Sequence, residues 1–222
     1  MASGEVERQF SGWAVRYREM LEGQFRRMAR CTYEEFLERI AQELEGCERV
    51  LDAACGPGLV SALLRRRLPE AKLVGVDLTP AMLAEARRVE GLRLLRASVE
   101  ALPFREASFD GAVCSLALHH TRPRRALSEL LRVVRPGGKV VVPDVGIAPL
   151  WDTPPLRPLV RLILLAMSLR PRWRAERRAR LFSAPRWRRV LKEVGLRQVE
   201  VEDLGRGPSP FRVVFASGLV GR

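Results

Sequence analysis

The feature that most constrains this chain is a tight turn of small residues between an apolar run and a helical pattern. Residues 50–53 are typical of the end of a buried strand, residues 56–58 form the turn, and residues 59–67 predict a helix. Such a turn leaves backbone N–H groups and free space where a ligand can approach. Asp77, 25 residues after Asp52, ends the next apolar run, where its carboxylate could accept both hydroxyls of a ribose. Turn, spacing and acid together predict a site for an adenosine-containing cofactor.

Strand and helix patterns alternate through the centre of the chain. Strands are predicted near 48–53, 72–77, 92–97, 109–115 and 138–144, and helices near 59–67, 80–88 and 123–134. This alternation is typical of an α/β fold with a parallel sheet wound on both sides, whose chemistry lies at the carboxyl ends of the strands. After a helix near 184–194, two more strands are predicted near 197–204 and 211–217.

Four motifs follow one another between residues 50 and 144. They are residues 50–58 with Asp77, residues 97–104 with 108–113, residues 115–120, and residues 131–139. In this order they resemble the motifs of the class I S-adenosylmethionine-dependent methyltransferases, and most of all the ubiquinone and menaquinone biosynthesis branch. The resemblance implies S-adenosyl-L-methionine as the cofactor and transfer of its methyl group to a small-molecule acceptor, which can be lipid-soluble. It also implies a Rossmann-like, doubly wound sheet of about seven strands that ends in an antiparallel hairpin.

The resemblance also assigns cofactor contacts along these motifs. Asp77 matches the ribose acid of the family, Glu100 matches an acid beside the adenine, and Ser98 stands where the family has an aspartate that bonds the adenine amino group. Ala54 replaces the first glycine of the family motif, which is tolerable if its φ stays negative. The full predicted set is Tyr17, Asp52, Ala54, Cys55, Gly56, Gly58, Asp77, Leu78, Met82, Ser98, Val99, Glu100 and Ser115.

The first 45 residues are expected to form a helical lid. Phe10, Trp13, Ala14 and Tyr17 are spaced three and four residues apart, and this string resembles the lid over the cofactor in the same methyltransferase branch. Tyr17 is the matching aromatic residue, and its hydroxyl needs a polar partner if it is buried. For Phe10 and Trp13, packing on the core is an equally good interpretation.

His119 and His120 are the catalytic candidates. They are the only two histidines of the chain, and they follow the fourth predicted strand at its carboxyl end. Methyl transfer from a sulfonium depends mainly on positioning and water exclusion, and a base is needed only if the acceptor starts protonated. Histidine suits that role because it titrates near neutral pH. Hydrogen bonding or packing without proton transfer is the alternative, and Asp144, which ends the fifth predicted strand, is a weaker base candidate.

The net charge of +13 is concentrated in one segment. Residues 157–189 contain eleven arginines and one acid, a net charge of +10, with leucines and tryptophans between the arginines. This composition suits a membrane surface with anionic lipids. It would also suit an acidic substrate or RNA, and a solvated cap over the active site is a further interpretation. Three of the four tryptophans, Trp151, Trp173 and Trp187, lie in or just before this segment.

The expected organisation has four parts: a helical lid over 1–45, a cofactor-binding core over 46–145, a basic helical cap inserted over 146–185, and a C-terminal helix and strand pair over 186–222. No membrane span, leader or metal site is predicted, because the apolar runs are short, residues 1–8 are polar, and the four cysteines lack zinc spacing. A cytoplasmic protein is expected, with peripheral contact at the inner face of the membrane.

Two alternatives remain open at this point. A nucleic-acid methyltransferase is disfavoured because residues 115–118 read Ser-Leu-Ala-Leu, whereas base-amino methyltransferases have Asn/Asp-Pro-Pro-Tyr/Phe after the fourth strand. A non-enzymatic protein that binds S-adenosylmethionine with the same fold is supported only by Ala54 and Ser98.

Overall fold

The strands of the chain form one mixed sheet. The computed structural model describes residues 10–11, 14–207 and 209–221, with the side chains of all these residues except 171–173 and 175. Within them the strands are β1 (Arg49–Ala53), β2 (Lys72–Asp77), β3 (Arg93–Arg96), β4 (Phe109–Val113), β5 (Val134–Val141), β6 (Asp144–Ile147), β7 (Leu196–Asp203) and β8 (Phe211–Val220). The order is β3-β2-β1-β4-β5-β8-β6, and β7 also pairs with β8. Strands β1 to β5 are parallel, whereas β8 runs antiparallel to its three partners.

Helices cover both faces of this sheet. They are α1 (Tyr17–Met28), α2 (Tyr33–Glu43), α3 (Leu59–Arg67), α4 (Pro80–Ala86), α5 (Pro123–Val133), α6 (Arg157–Ser168) and α7 (Ala184–Glu193), with 3-10 helices at Ala14–Arg16, Leu118–His120, Pro149–Asp152 and Pro171–Arg178. Local sequence fixes several of their ends. Thr32 and Glu35 form a capping box at α2, and prolines occupy the first turn of α4, α5, α6 and α7, where a missing N–H is not needed.

Alternate residues of each central strand enter different cores. In β1, Leu51 and Ala53 pack with α5 and α7, whereas Val50 packs with α1, α2 and α3 on the other face. This period of two is the one a pleated strand requires. The fold class predicted from the sequence, a Rossmann-like doubly wound α/β sheet, is confirmed, and β7 and β8 form the expected antiparallel pair.

The edge of the sheet differs from the prediction in one strand. Asp144 does not end the fifth strand: β5 stops at Val141, and Asp144 begins β6, which pairs antiparallel with β8. Pro143 separates the two strands, and the four residues of β6 are too few to show a period. The expected border between core and cap, at residues 145 and 146, therefore falls inside a strand of the sheet.

The packing of helix α2 and of Trp187 differs from what was expected from the sequence. Helix α2 was assigned to the lid, but Phe36, Leu37 and Ile40 are almost completely buried and make it a covering layer of the sheet. Trp187, expected in the basic surface segment, is fully buried in the core beside Phe182. Trp13 lies outside the described residues.

Candidate active site

A cavity opens at the carboxyl ends of β1, β2 and β4, where sheet topology places ligands. Ten of the residues predicted to contact a cofactor line this first cavity: Tyr17, Ala54, Gly56, Asp77, Leu78, Met82, Ser98, Val99, Glu100 and Ser115. Its wall is completed by residues that motif reasoning did not assign to the cofactor, namely Phe10, Thr79, Ala97, Leu116, Ala117, His120 and Thr121. Most of these are sequence neighbours of predicted residues, so adjacency on the same turns could have identified them.

The other three predicted cofactor residues lie elsewhere. Asp52 and Cys55 line a small cleft that also contains Tyr17, Ala54 and Gly56. Gly58 lines neither space. Its φ is +83°, and a Cβ there would lie 3.0 Å from a methyl of Val89, so this glycine allows α3 to pack closely against the turn after α4.

Asp77 holds the glycine turn in place. Its Oδ2 accepts the N–H of Gly56 at 2.9 Å, and its Oδ1 accepts the N–H of Thr79 at 2.8 Å. Burial raises the pKa of Asp77 above its usual range, and these two backbone hydrogen bonds oppose that rise. Each carboxylate oxygen keeps a further lone pair, so Asp77 can accept bonds from a ligand while it fixes the turn.

Asp52 lies behind that turn. Its side chain is buried and accepts a hydrogen bond of 2.6 Å from the hydroxyl of Ser61 in α3. Burial raises the pKa of Asp52 to about 7, although the Ser61 bond acts in the opposite direction. A cationic group in the adjoining cleft would favour the ionised form of Asp52.

The turn itself is strained. The condition under which Ala54 is tolerable, a negative φ, is not met, because its φ is +60°, in the left-handed region that disfavours a residue with a Cβ. Gly56 has a φ of +53°, and Leu116, on the opposite wall of the first cavity, also has +53°. Non-glycine residues in this conformation concentrate at functional sites, and two of them line this cavity.

The far end of the first cavity is shaped by a short turn after β3. The hydroxyl of Ser98 accepts the N–H of Glu100 at 3.2 Å, and the Glu100 carboxylate accepts the N–H of Arg122 at 2.8 Å. The two polar side chains predicted to face an adenine therefore also fix the backbone around them. Their remaining oxygen lone pairs are available to a ligand.

A second cavity adjoins the first one. Phe10, Tyr17, Leu116 and His120 line both spaces. The second cavity is bounded by α1, α6 and β8, and its wall is mainly apolar, with side chains that include Met20, Leu21, Phe25, Met28, Val145, Leu164, Met167, Leu181, Phe211 and Val213. Its polar groups include His119, His120 and Glu176.

His119 is fixed by Asp144 through two hydrogen bonds. The His119 N–H donates to Oδ2 at 2.8 Å, and ring Nδ1 lies 2.5 Å from Oδ1. Burial disfavours the charged imidazolium, but the Asp144 charge and hydrogen bond outweigh burial and raise the pKa of His119. Asp144 is a weaker base candidate from the sequence, and in the structure it instead lies behind His119 as an orienting group.

His120 lies between the two cavities. Its side chain is 6% exposed, and its Nε2 lies 3.6 Å from Oε1 of Glu176. Burial, together with the charge of His119, lowers the pKa of His120 well below its usual value. Phe10 contacts its ring edge-on, with centroids 5.3 Å apart. The lowered pKa favours the neutral form of His120. Its polar neighbour Glu176 lies in the cap and was not among the residues predicted for the site.

Comparison with known proteins shows a similarity to one family over part of the chain. Residues 51–142 match the family model described as a methyltransferase domain. The predicted resemblance to class I S-adenosylmethionine-dependent methyltransferases is confirmed. Relatives named as quinone-biosynthesis methyltransferases are similar to part of the chain and support the predicted class and branch.

Two similar proteins each match less than half of this chain. The demethylmenaquinone methyltransferase of Thermus thermophilus is 42% identical over 101 residues, which are 43% of this chain and 46% of that protein. The malonyl-[acyl-carrier protein] O-methyltransferase of Herminiimonas arsenicoxydans is 41% identical over 92 residues, 41% of this chain and 35% of that protein. The chain spans less than half the length of these two relatives.

Solved structures extend the similarity of fold to nearly the whole chain. A Thermotoga maritima protein described as an S-adenosylmethionine-dependent methyltransferase, possible histamine N-methyltransferase, has a TM-score of 0.69 at 20% identity, covering 96% of this chain and 98% of that one. The geranyl diphosphate C-methyltransferase of Streptomyces coelicolor has a TM-score of 0.67 at 15% identity, covering 85% and 77%. At these identities the likeness concerns the fold alone.

Proposed function

We propose that this chain is an S-adenosylmethionine-dependent methyltransferase that acts on a small, largely apolar acceptor. The observation that carries the proposal is the junction of the two cavities at Phe10, Tyr17, Leu116 and His120. One cavity has the polar groups of the family's cofactor motifs, and the other has an apolar wall. A shared boundary is the arrangement that in-line transfer between two bound molecules requires.

The residues present fit the cofactor. Asp77 supplies a carboxylate at the glycine turn, Met82 and Val99 supply apolar surface, and Ser98 and Glu100 supply acceptor oxygens at the far end of the first cavity. These groups suit a ribose and an adenine, and Asp52 in the adjoining cleft suits a cationic group. When bound, S-adenosylmethionine supplies the activated methyl group. The work of the protein is to position the acceptor and exclude water.

The apolar wall of the second cavity indicates the class of acceptor. Leu164 and Met167 from α6, Phe211 and Val213 from β8, and Met20 from α1 face a space whose polar side chains include His119 and His120. An acceptor with an apolar body and one polar reacting group matches this distribution. Such an acceptor is lipid-soluble, and the relatives named above as quinone-pathway methyltransferases support this class. The mainly apolar wall of this space does not match the charged backbone of a nucleic acid, which argues against the nucleic-acid alternative.

Helix α6 supports peripheral contact with an anionic membrane. One of its faces is buried through Val160 and Leu164. On the opposite side, Leu162, Leu165 and Leu169 are 60%, 53% and 81% exposed. Exposed arginines 157, 161 and 170 belong to the same segment. A leucine face beside arginines is the pattern of a helix lying in a bilayer interface, and the buried face of this helix lines the cavity proposed for the acceptor.

Among the described residues, the structure contains no helix with the length and apolar character that a bilayer crossing requires. The contact proposed for α6 is one of adsorption, in which the acceptor would reach the second cavity directly from the lipid.

The proposal is tested by binding and product formation. The purified chain should bind S-adenosylmethionine in calorimetry, and incubation of a lipid extract with protein and labelled cofactor should give a labelled, extractable product by mass spectrometry. Binding without any labelled product in lipid or aqueous extracts would favour the non-enzymatic alternative. Label found in RNA or DNA would favour the nucleic-acid alternative.

A further inference from the structure

We infer that His119, His120 and Glu176 form a divalent-cation site at the polar end of the second cavity. One ligand atom from each residue can be chosen so that all three atoms lie within 4.8 Å of one another. Two imidazoles and one carboxylate are a donor set that zinc and similar cations accept, with a further position left open. The inference rests on these residues alone and does not require the proposed function.

The contact between Asp144 and His119 is the first independent support. Asp144 holds Nδ1 of His119 at 2.5 Å and its backbone N–H at 2.8 Å. The ring is thereby oriented by one nitrogen, which leaves Nε2 for a ligand. A carboxylate behind a histidine is the usual arrangement around metal-bound imidazoles, because it fixes both the tautomer and the ring direction.

The environment of His120 is the second independent support for a cation site. Its side chain is 6% exposed, and its Nδ1 is buried without a hydrogen-bond partner among the described residues. On the other side of the ring, Nε2 lies 3.6 Å from Oε1 of Glu176, close to the separation of two atoms that share one small cation.

Charge also favours a cation here. The buried carboxylate of Asp144 and the largely buried carboxylate of Glu176, which is 13% exposed, lie on either side of the two imidazoles. Two ionised carboxylates in these positions would attract a divalent cation held between the imidazoles. Its open position would face the second cavity, where an anionic oxygen of an acceptor could occupy it.

This inference and the sequence-based prediction of a catalytic histidine place opposite demands on Nε2 of His119. A ligated Nε2 cannot take a proton, so ionisation of a hydroxyl acceptor would then depend on the cation as a Lewis acid. Cation binding decides between the two roles, and it can be measured without any acceptor.

The test uses the full chain, freed of any affinity tag, stripped with a chelator and titrated with zinc chloride by calorimetry. We expect about one equivalent to bind at micromolar concentration or tighter, and cobalt(II) to give the visible absorption of a low-coordinate site. Glu176→Gln and His120→Ala should each weaken binding about tenfold or more. Asp144→Asn should weaken it about 10- to 100-fold while leaving the three ligands in place.

Controls keep the outcome decisive. Glu90→Gln removes an exposed acid, and Cys31→Ser removes a half-buried thiol that could bind zinc by itself; both should bind like the wild type. Chemical unfolding of every variant shows whether the fold is intact, and the cofactor affinity of the wild type tests the proposed function separately. Absence of zinc binding, or binding equal in Glu176→Gln and the wild type, would overturn the inference and leave the histidines to act as base or packing residues.

Discussion

Asp77 has two roles at the residue scale, because its carboxylate both fixes the glycine turn and faces the first cavity. Asp77→Ala should weaken binding of S-adenosylmethionine by about 1–3 kcal/mol, since the ribose loses a charged acceptor. Calorimetry measures the change, and chemical unfolding of the same variant shows how much comes from the loosened turn. Asp77→Asn keeps one acceptor oxygen, so its affinity for S-adenosylmethionine should lie between those of Asp77→Ala and the wild type. Unchanged affinity with an intact fold would refute the ribose assignment.

At position 54, replacement of alanine by a smaller residue is expected to increase the stability of the protein. Its φ of +60° strains any side chain with a Cβ, so Ala54→Gly should raise the free energy of unfolding by about 1 kcal/mol. Ala53, the neighbouring residue in β1, is fully buried in regular strand. Ala53→Gly should therefore lower stability by a similar amount. Chemical denaturation of both variants measures the contrast, and loss of stability in both would contradict this account of the turn.

Asp52 predicts a pH dependence. Its folded pKa of about 7 lies above the unfolded value of about 3.9, so the folded state holds the proton more tightly. For this group, the free energy of unfolding of the cofactor-free protein should fall as pH rises from about 4 to about 7, and then level off. Denaturation across this range should show a flatter profile in Asp52→Asn than in the wild type. Glu90→Gln, at an exposed acid, serves as the control, and equal slopes in all three proteins would exclude Asp52 as the cause.

At the scale of elements, α6 carries the prediction for membrane contact. Leu162→Asp with Leu165→Asp should abolish most binding to vesicles containing anionic lipid, because two exposed apolar side chains become charged. Leu95→Asp changes a partly exposed leucine in the edge strand β3 and is the matched control. Vesicle co-sedimentation measures binding. Equal binding of the double variant and the control would remove α6 from the contact surface.

How far sequence predicts an element depends on how local its cause is. Helix α3 ends where predicted, because its glycine turn and its apolar spacing lie next to each other in the chain. Strand β6 escaped prediction because its partner, β8, lies more than sixty residues away, and four residues show no period. Trp187 was grouped with the basic segment because of the arginines around it, but its burial depends on packing with core residues from the sheet.

The two cavities also differ in how local the causes of their structure are. The first cavity is built from turns that immediately follow strands, so motif spacing identified Asp77, Met82 and Ser98. The cluster in the second cavity joins His119, Asp144 and Glu176, which come from three separate segments. Their approach is a result of tertiary packing that no local pattern records.

For the whole molecule, the distribution of charge sets the expected response to salt. Of the net charge of +13, residues 157–189 contribute +10. Several of these arginines are bound within the fold, since Arg188 donates to backbone carbonyls of β7 and Arg186 pairs with Asp152. The exposed remainder should each contribute on the order of 1 kcal/mol at an anionic surface, screened by salt. Adsorption to acidic vesicles should therefore be strong at low salt and fall at high salt.

Neutral vesicles give the comparison for this experiment. Weak binding to neutral vesicles at every salt concentration is expected, because apolar insertion alone would then act without charge attraction. Lack of binding to acidic vesicles at low salt would reduce the basic segment to a solvated cap and would favour an acceptor that reaches the second cavity from water.

The residues of the first cavity are synthesised before those of the second are complete, because β8 comes later in the chain. Every residue that lines the first cavity lies between Phe10 and Thr121, whereas the second cavity takes Phe211 and Val213 from β8. During synthesis the ribosome therefore releases the complete wall of the first cavity about ninety residues before the last wall of the second. A nascent chain therefore contains every residue of the proposed donor site before it contains the residues of β8 that complete the proposed acceptor site.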